Sequence, residues 1–96
     1  MKFSSYIEYV TEPAKIAALR PDHRDYLSEL FKQGKLLAAG PFSDDSGALF
    51  IYEAGNLDDV LTMIADDPFA IGGVFASVVT KPWKLVFINA ESMSQS

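Results

Sequence analysis

The chain has 96 residues, 49% of them apolar, a formal net charge of −5 and no cysteine. That length fits one compact domain with a genuine core and leaves no room for a second. Scattered Lys and Arg under a negative total exclude nucleic acid and an anionic membrane surface as partners, and the missing thiols exclude disulfide, thiolate and cysteine-zinc chemistry.

Met1-Lys2 runs straight into a strand-like segment, and no stretch approaches the ~18 uninterrupted apolar residues of a membrane span, so a cytoplasmic protein is expected. Phe3 to Val10 is rich in aromatic and β-branched residues and reads as a first strand, ended by Thr11-Glu12-Pro13. Ala14 to Arg20 precedes Pro21, which disfavours a helix through Arg20, so this piece is expected to be a loop. Pro21 then suits the opening position of a helix and Gly34 the residue just past its end. Within it His23, Leu27, Leu30 and Phe31 recur at helical spacing, which places His23 in the first turn on the buried stripe.

Lys35 to Gly40 gives a second strand, Pro41 to Gly47 a polar turn containing Asp44 and Asp45, and Ala48 to Ala54 a third strand, close enough for a hairpin. Asn56 offers a cap to a second helix, Leu57 to about Asp66, with Leu57, Val60, Leu61 and Ile64 as its apolar stripe. Asp67 caps a short turn opened by Pro68 and closed at Gly72-Gly73. Val74 to Thr80 forms the fourth strand, Lys84 to Ile88 an added edge strand, and Asn89 to Ser96 a polar tail beyond a single domain of residues 1–88.

The order β-α-β-β-α-β predicts an α+β, ferredoxin-like fold: a four-stranded antiparallel sheet with two helices on one face. In that topology the first helix begins, and the second ends, at the same end of the domain. His23, the only histidine, and Asp67 are thereby brought together. A carboxylate on one ring nitrogen fixes the tautomer and leaves the other nitrogen to take or give a proton. Asp67 can also cap its turn, since a carboxylate has acceptor positions to spare. Gly40, Pro41, Phe42 and Phe69 are candidate walls of an apolar cleft beside the pair.

A metal centre is disfavoured with one His and no Cys, and the chain carries no phosphate loop or dinucleotide fingerprint, so no metal and no cofactor are expected. The helix-free sheet face needs a cover. The first strand has aromatic residues on both sides, and Phe50, Tyr52, Phe75 and Val79 add apolar bulk to the third and fourth, which favours a homodimer.

His23 ahead of Tyr26-Leu27, the segment Gly34 to Pro41, Gly47, Asp67-Pro68-Phe69 with Gly72-Gly73, and Lys81-Pro82-Trp83 together resemble the YciI (YCII-related) family, over roughly Phe3 to Trp83. The resemblance implies a dimeric α+β barrel of two facing ferredoxin-like sheets, with an active site at a His and an Asp that fall on His23 and Asp67. It also implies kinship with muconolactone isomerases and small monooxygenases of that barrel type, and elimination or dehalogenation chemistry on ring-derived compounds. Arg20 matches a basic position of the family and is a candidate to bind an anionic substrate. Two functions stay open: a small-molecule lyase or isomerase using the His-Asp pair, and a non-catalytic homodimer that binds a metabolite or supports a partner enzyme.

Overall fold

Strand β1, Lys2–Tyr9, lies in the middle of the molecule and pairs antiparallel on both sides. Its neighbours are β3, Gly47–Glu53, and β4, Phe75–Trp83; β2, Leu36–Pro41, completes the order β2-β3-β1-β4 on the far side of β3. This is the expected four-stranded antiparallel sheet of a ferredoxin-like α+β fold. The computed structural model describes residues 1–94.

Alternation along β1 sorts the two faces. Phe3, Ser5, Ile7 and Tyr9 are buried against the helices together with Phe50 and Tyr52 of β3, and Ser5 reaches Thr80 of β4 by a 2.8 Å hydroxyl contact. Phe50 and Tyr52 therefore do not load the helix-free face, as the sequence reading had them. That face carries instead Tyr6, Leu49 and Val79, each at least 44% exposed. Gly47 is required where β3 crosses β1, because a Cβ there would strike the Ile7 carbonyl oxygen.

Helix α1 spans Pro13–Lys32, eight residues longer at its start than expected, with Pro21 inside it. Pro13 takes an opening position, where a missing N–H costs nothing. An interior proline costs about 3 kcal/mol through its lost hydrogen bond and ring clash. Packing offsets that cost: Ile16, His23 and Leu30 recur at heptad spacing as the buried stripe, and Leu19 seats against Gly72, where a Cβ would collide with it. The far end closes as expected. Gly34, at φ +74°, lets its own N–H reach the Phe31 carbonyl and that of Lys35 the Leu30 carbonyl, a Schellman stop.

Helix α2, Leu57–Ala65, begins at Asn56, whose side chain accepts from the Asp59 amide at 2.9 Å. Its buried face is narrower than the expected stripe: Val60 and Ile64 are enclosed, whereas Leu57 and Leu61 stay exposed at 40% and 44%. A one-turn helix α3, Pro68–Ile71, follows under the Asp67 cap. Lys84 to Ile88 does not form the expected edge strand. It leaves β4 as an extended arm with Val86 and Phe87 71% and 93% exposed, and a short helix α4, Ala90–Met93, comes after it. The remaining tail positions, 95 and 96, lie outside the described residues. No helix among the described residues is long and apolar enough to cross a membrane.

Three phenols are built into this core, and burial raises the pKa of Tyr9, Tyr26 and Tyr52, that of Tyr26 to about 12. An unfolded tyrosine ionises near 10, so the stability these groups contribute is complete below pH ~10 and is lost as pH climbs through the folded values. The urea midpoint is expected to hold steady from pH 8 to 9.5 and to fall between pH 10 and 12; Tyr26→Phe should flatten that fall.

Candidate active site

His23 sits on the third turn of α1, not its first, and its ring is 4% exposed. Asp67, 44 residues later, is fully buried in the link between α2 and α3. His23 Nδ1 and Asp67 Oδ1 stand 2.7 Å apart, a short distance typical of a charge-assisted hydrogen bond. The same Oδ1 accepts the Phe69 backbone N–H at 2.9 Å, so Asp67 caps α3 and holds the imidazole at once.

With the carboxylate as acceptor, Nδ1 carries the proton, and neutral imidazole is left with a lone pair on Nε2. Nε2 has no hydrogen-bond partner among the described residues and is not one of the fully enclosed atoms; it is the open end of an otherwise sealed ring. Phe69 stacks on that ring with centroids 3.8 Å apart and planes within 5°, and Phe50 and Phe75 approach it at 6.0 and 6.4 Å. These rings fix the plane of the imidazole and lower the local dielectric, which strengthens its hydrogen bond to Asp67. Asp67 Oδ2 is buried with no partner among the described residues.

Of the residues singled out from sequence, His23, Asp67 and Phe69 come together. Arg20 lies on α1 and holds Asp45 of the β2–β3 turn at 3.0 Å. Phe42 is set apart: its ring faces Tyr6 at 5.3 Å, and the two line a 420 Å³ depression with Ser43, Asp44 and Ser46. Gly40 and Pro41 are exposed on the edge strand β2. Sequence reasoning passed over Tyr9, Phe50 and Phe75 as site residues. Each occupies a strand position read only as apolar bulk of the sheet, and alternation along a strand reports the face without reporting which helix residue lies above it. A second hollow of 550 Å³ between α2 and the end of β3 is lined by Lys35, Glu53, Asp59 and Asp66 and does not include the histidine. No group of acidic, His or Cys side chains fit to hold a metal occurs among the described residues.

Residues 1–84 match the YCII-related domain family. The protein YciI of Escherichia coli is 33% identical over 96 residues, covering 85% of this chain and 98% of that one. An uncharacterised protein of Haemophilus influenzae is 34% identical over 83 residues, covering 76% and 85%. Among solved structures, 5-chloro-2-hydroxyhydroquinone dehydrochlorinase (TftG) from Burkholderia phenoliruptrix, in complex with 2,5-dihydroxybenzoquinone, superposes with a TM-score of 0.68 at 26% identity, covering 88% of this chain and 94% of that one.

Removing the carboxylate tests the tautomer directly. In wild type, long-range ¹⁵N–¹H correlations of the neutral imidazole should show a protonated Nδ1 and a bare Nε2. Asp67→Ala should lose that preference and cost about 1–3 kcal/mol of stability, because the Phe69 amide loses its cap and the ring its acceptor.

Proposed function

This chain belongs to the YCII-related family, and on that premise we propose that it is a small-molecule lyase or isomerase in which His23 transfers the proton and Asp67 orients it. The observation that carries the reading is the buried 2.7 Å His23–Asp67 bond with Nε2 left open. A purely structural histidine has no need of an unpartnered, partly accessible nitrogen.

The chemistry such a pair supports is general base catalysis. Nε2 accepts a proton from a hydroxyl or an activated carbon of the substrate, the electron pair of the broken bond moves into a new double bond, and a leaving group departs with its own pair. The imidazolium formed is stabilised through Nδ1–H by the Asp67 carboxylate, and it returns the proton to the leaving group or to water. Where the proton is returned to another substrate atom, the same steps amount to an isomerisation. Phe75, half-buried and edge-on to the imidazole, suits a flat, ring-derived substrate, while the fully buried Phe50 and Phe69 back the ring from inside. Arg20 would add positive charge for an anionic one, and the likeness to a dehydrochlorinase holding a dihydroxyquinone supports the same class.

A homodimer belongs to this proposal. The helix-free face presents Tyr6, Leu49, Val79 and Trp83, at 41% to 51% exposure, to whatever lies opposite. A second copy meeting it would bury at least ~1,000 Å² in total and would bring Gly40, Pro41 and Phe42 into a shared interior. The alternative of a non-catalytic metabolite-binding or accessory homodimer uses the same pocket and face without needing an open Nε2.

His23→Asn separates the two. Its amide can still donate to Asp67 from about the position of Nδ1, so the fold should survive, while Nε2 is gone. With 5-chloro-2-hydroxyhydroquinone as substrate, wild type should release chloride, and His23→Asn should lose about 10²–10⁴-fold in kcat while still binding. Wild type that binds the compound and releases nothing would support the non-catalytic protein instead. Light scattering at micromolar concentration should give twice the monomer mass, and Val79→Asp should shift it toward one.

A further inference from the structure

Tyr9 ends β1 at the one irregularity in its pairing with β4: Glu8 opposes Ser77 but Tyr9 opposes Phe75, so Ala76 is the extra residue of a β-bulge. Bulges re-aim side chains and gather beside active sites. Here the bulge sets the Tyr9 ring parallel to Phe75 at 6.3 Å and edge-on to Phe69 at 5.6 Å, the two rings that also border His23. The tyrosine is 8% exposed, yet its hydroxyl has no hydrogen-bond partner among the described residues and is not fully enclosed. Half-buried Tyr26 donates its hydroxyl to the Met63 carbonyl at 2.7 Å, whereas Tyr52, like Tyr9, has no partner among the described residues; Tyr9 differs from Tyr52 in lying against both Phe69 and Phe75. Tyr9 leaves its own hydroxyl unpartnered beside the rings that border His23.

Charges of both signs surround it. Arg20 and Arg24 share one face of α1 at i, i+4, and both guanidinium groups pull the Tyr9 phenol's pKa down, while the Asp45 and Asp67 carboxylates push it up. Arg20 is held by Asp45, whereas Arg24 has no ion-pair partner among the described residues. Burial nonetheless keeps the phenol protonated well past neutrality, so it donates and does not compete as an anion.

We propose that Tyr9 is a ligand-binding residue beside His23, its hydroxyl donating a hydrogen bond to an oxyanion of a hydroxylated, ring-derived substrate while Nε2 of His23 faces the proton to be moved. The inference rests on the proposed function for its substrate class and adds the group that receives the substrate's negative oxygen. A donor of this kind holds an enolate or phenolate oxygen in place while the base works, and it favours the ionised ligand over an uncharged ring of the same size.

The test titrates 2,5-dihydroxybenzoquinone into wild type and Tyr9→Phe by calorimetry, with the His23 tautomer and the thermal midpoint followed in both. Tyr9→Phe should keep tautomer and midpoint and bind about tenfold more weakly. Equal affinity in the two proteins would overturn the role of Tyr9 and leave the His-Asp reading standing. No binding to wild type would instead overturn the substrate class, and this inference with it. A second measurement needs no variant to fold: in wild type labelled at tyrosine ¹³Cζ, the Tyr9 resonance should move on saturation with the quinone while Tyr52 stays put, and an unmoved Tyr9 signal would overturn the proposal.

Discussion

A carboxylate taken wholly out of water governs this fold. An isolated buried charge costs far more than a domain of this size can spare, so Asp67 is tolerable only with donors in place. Both donors converge on Oδ1: the Phe69 amide, from the helix the carboxylate itself caps, and His23, from the other side of the chain. The second bond stitches α1 to the α2–α3 link across 44 residues, which neither helix could manage by propensity. The packing of Leu19 on Gly72 continues the same seam, and the glycine leaves room for it because a side chain there would push the helices apart.

That constraint accounts for the proline inside α1. A helix begun at Pro21 would place His23 at a frayed first turn, whose ring could not be held to a buried partner. Begun at Pro13, the helix contributes Ile16 and Leu19 to the core before it reaches the histidine, and the ring arrives on a rigid, fully packed turn. The cost of an interior proline is met by that burial, since each large apolar side chain removed from water returns about 1.5–3 kcal/mol. Pro21 itself is exposed, on the side of the helix where a missing N–H faces solvent.

How much of this was legible in the residues depends on the range over which the information acts. Strand alternation in Phe3 to Tyr9, the turn chemistry of Asp44 to Gly47 and the cap at Asn56 are local signals, and they led to the sheet order and hence to the meeting of His23 with Asp67. The start of α1 was not legible, because the rule against helix before proline is local and the packing of Ile16 and Leu19 that overrides it is not. The bulge at Ala76 was hidden for a similar reason: it is a relation between two strands, and neither strand's own sequence displays it. Missing it meant missing Tyr9. Lys84 to Ile88 read as a strand by composition, but β4 already occupies the sheet edge and pairs only with β1, so the segment has no partner strand in its own copy.

The two faces of the sheet consequently carry different burdens. On the helix side, aromatic side chains are spent on enclosing one imidazole and one carboxylate, and the hydroxyl of Tyr9 and Nε2 of His23 are left without partners among the described residues. On the other side, Tyr6, Leu49, Val79 and Trp83 make an apolar surface that gains nothing from water, and the arm from Leu85 to Ile88 leaves β4 beside it with its own apolar groups uncovered. A surface of that kind is what the proposed contact between two copies would cover. The same contact would enclose Phe42 and the turn that carries Asp45, the residue that holds Arg20. A second copy seated on the outer face, as proposed, would thus reach the helix side through one β-turn and its Asp45–Arg20 pair, although no residue of the outer face touches His23.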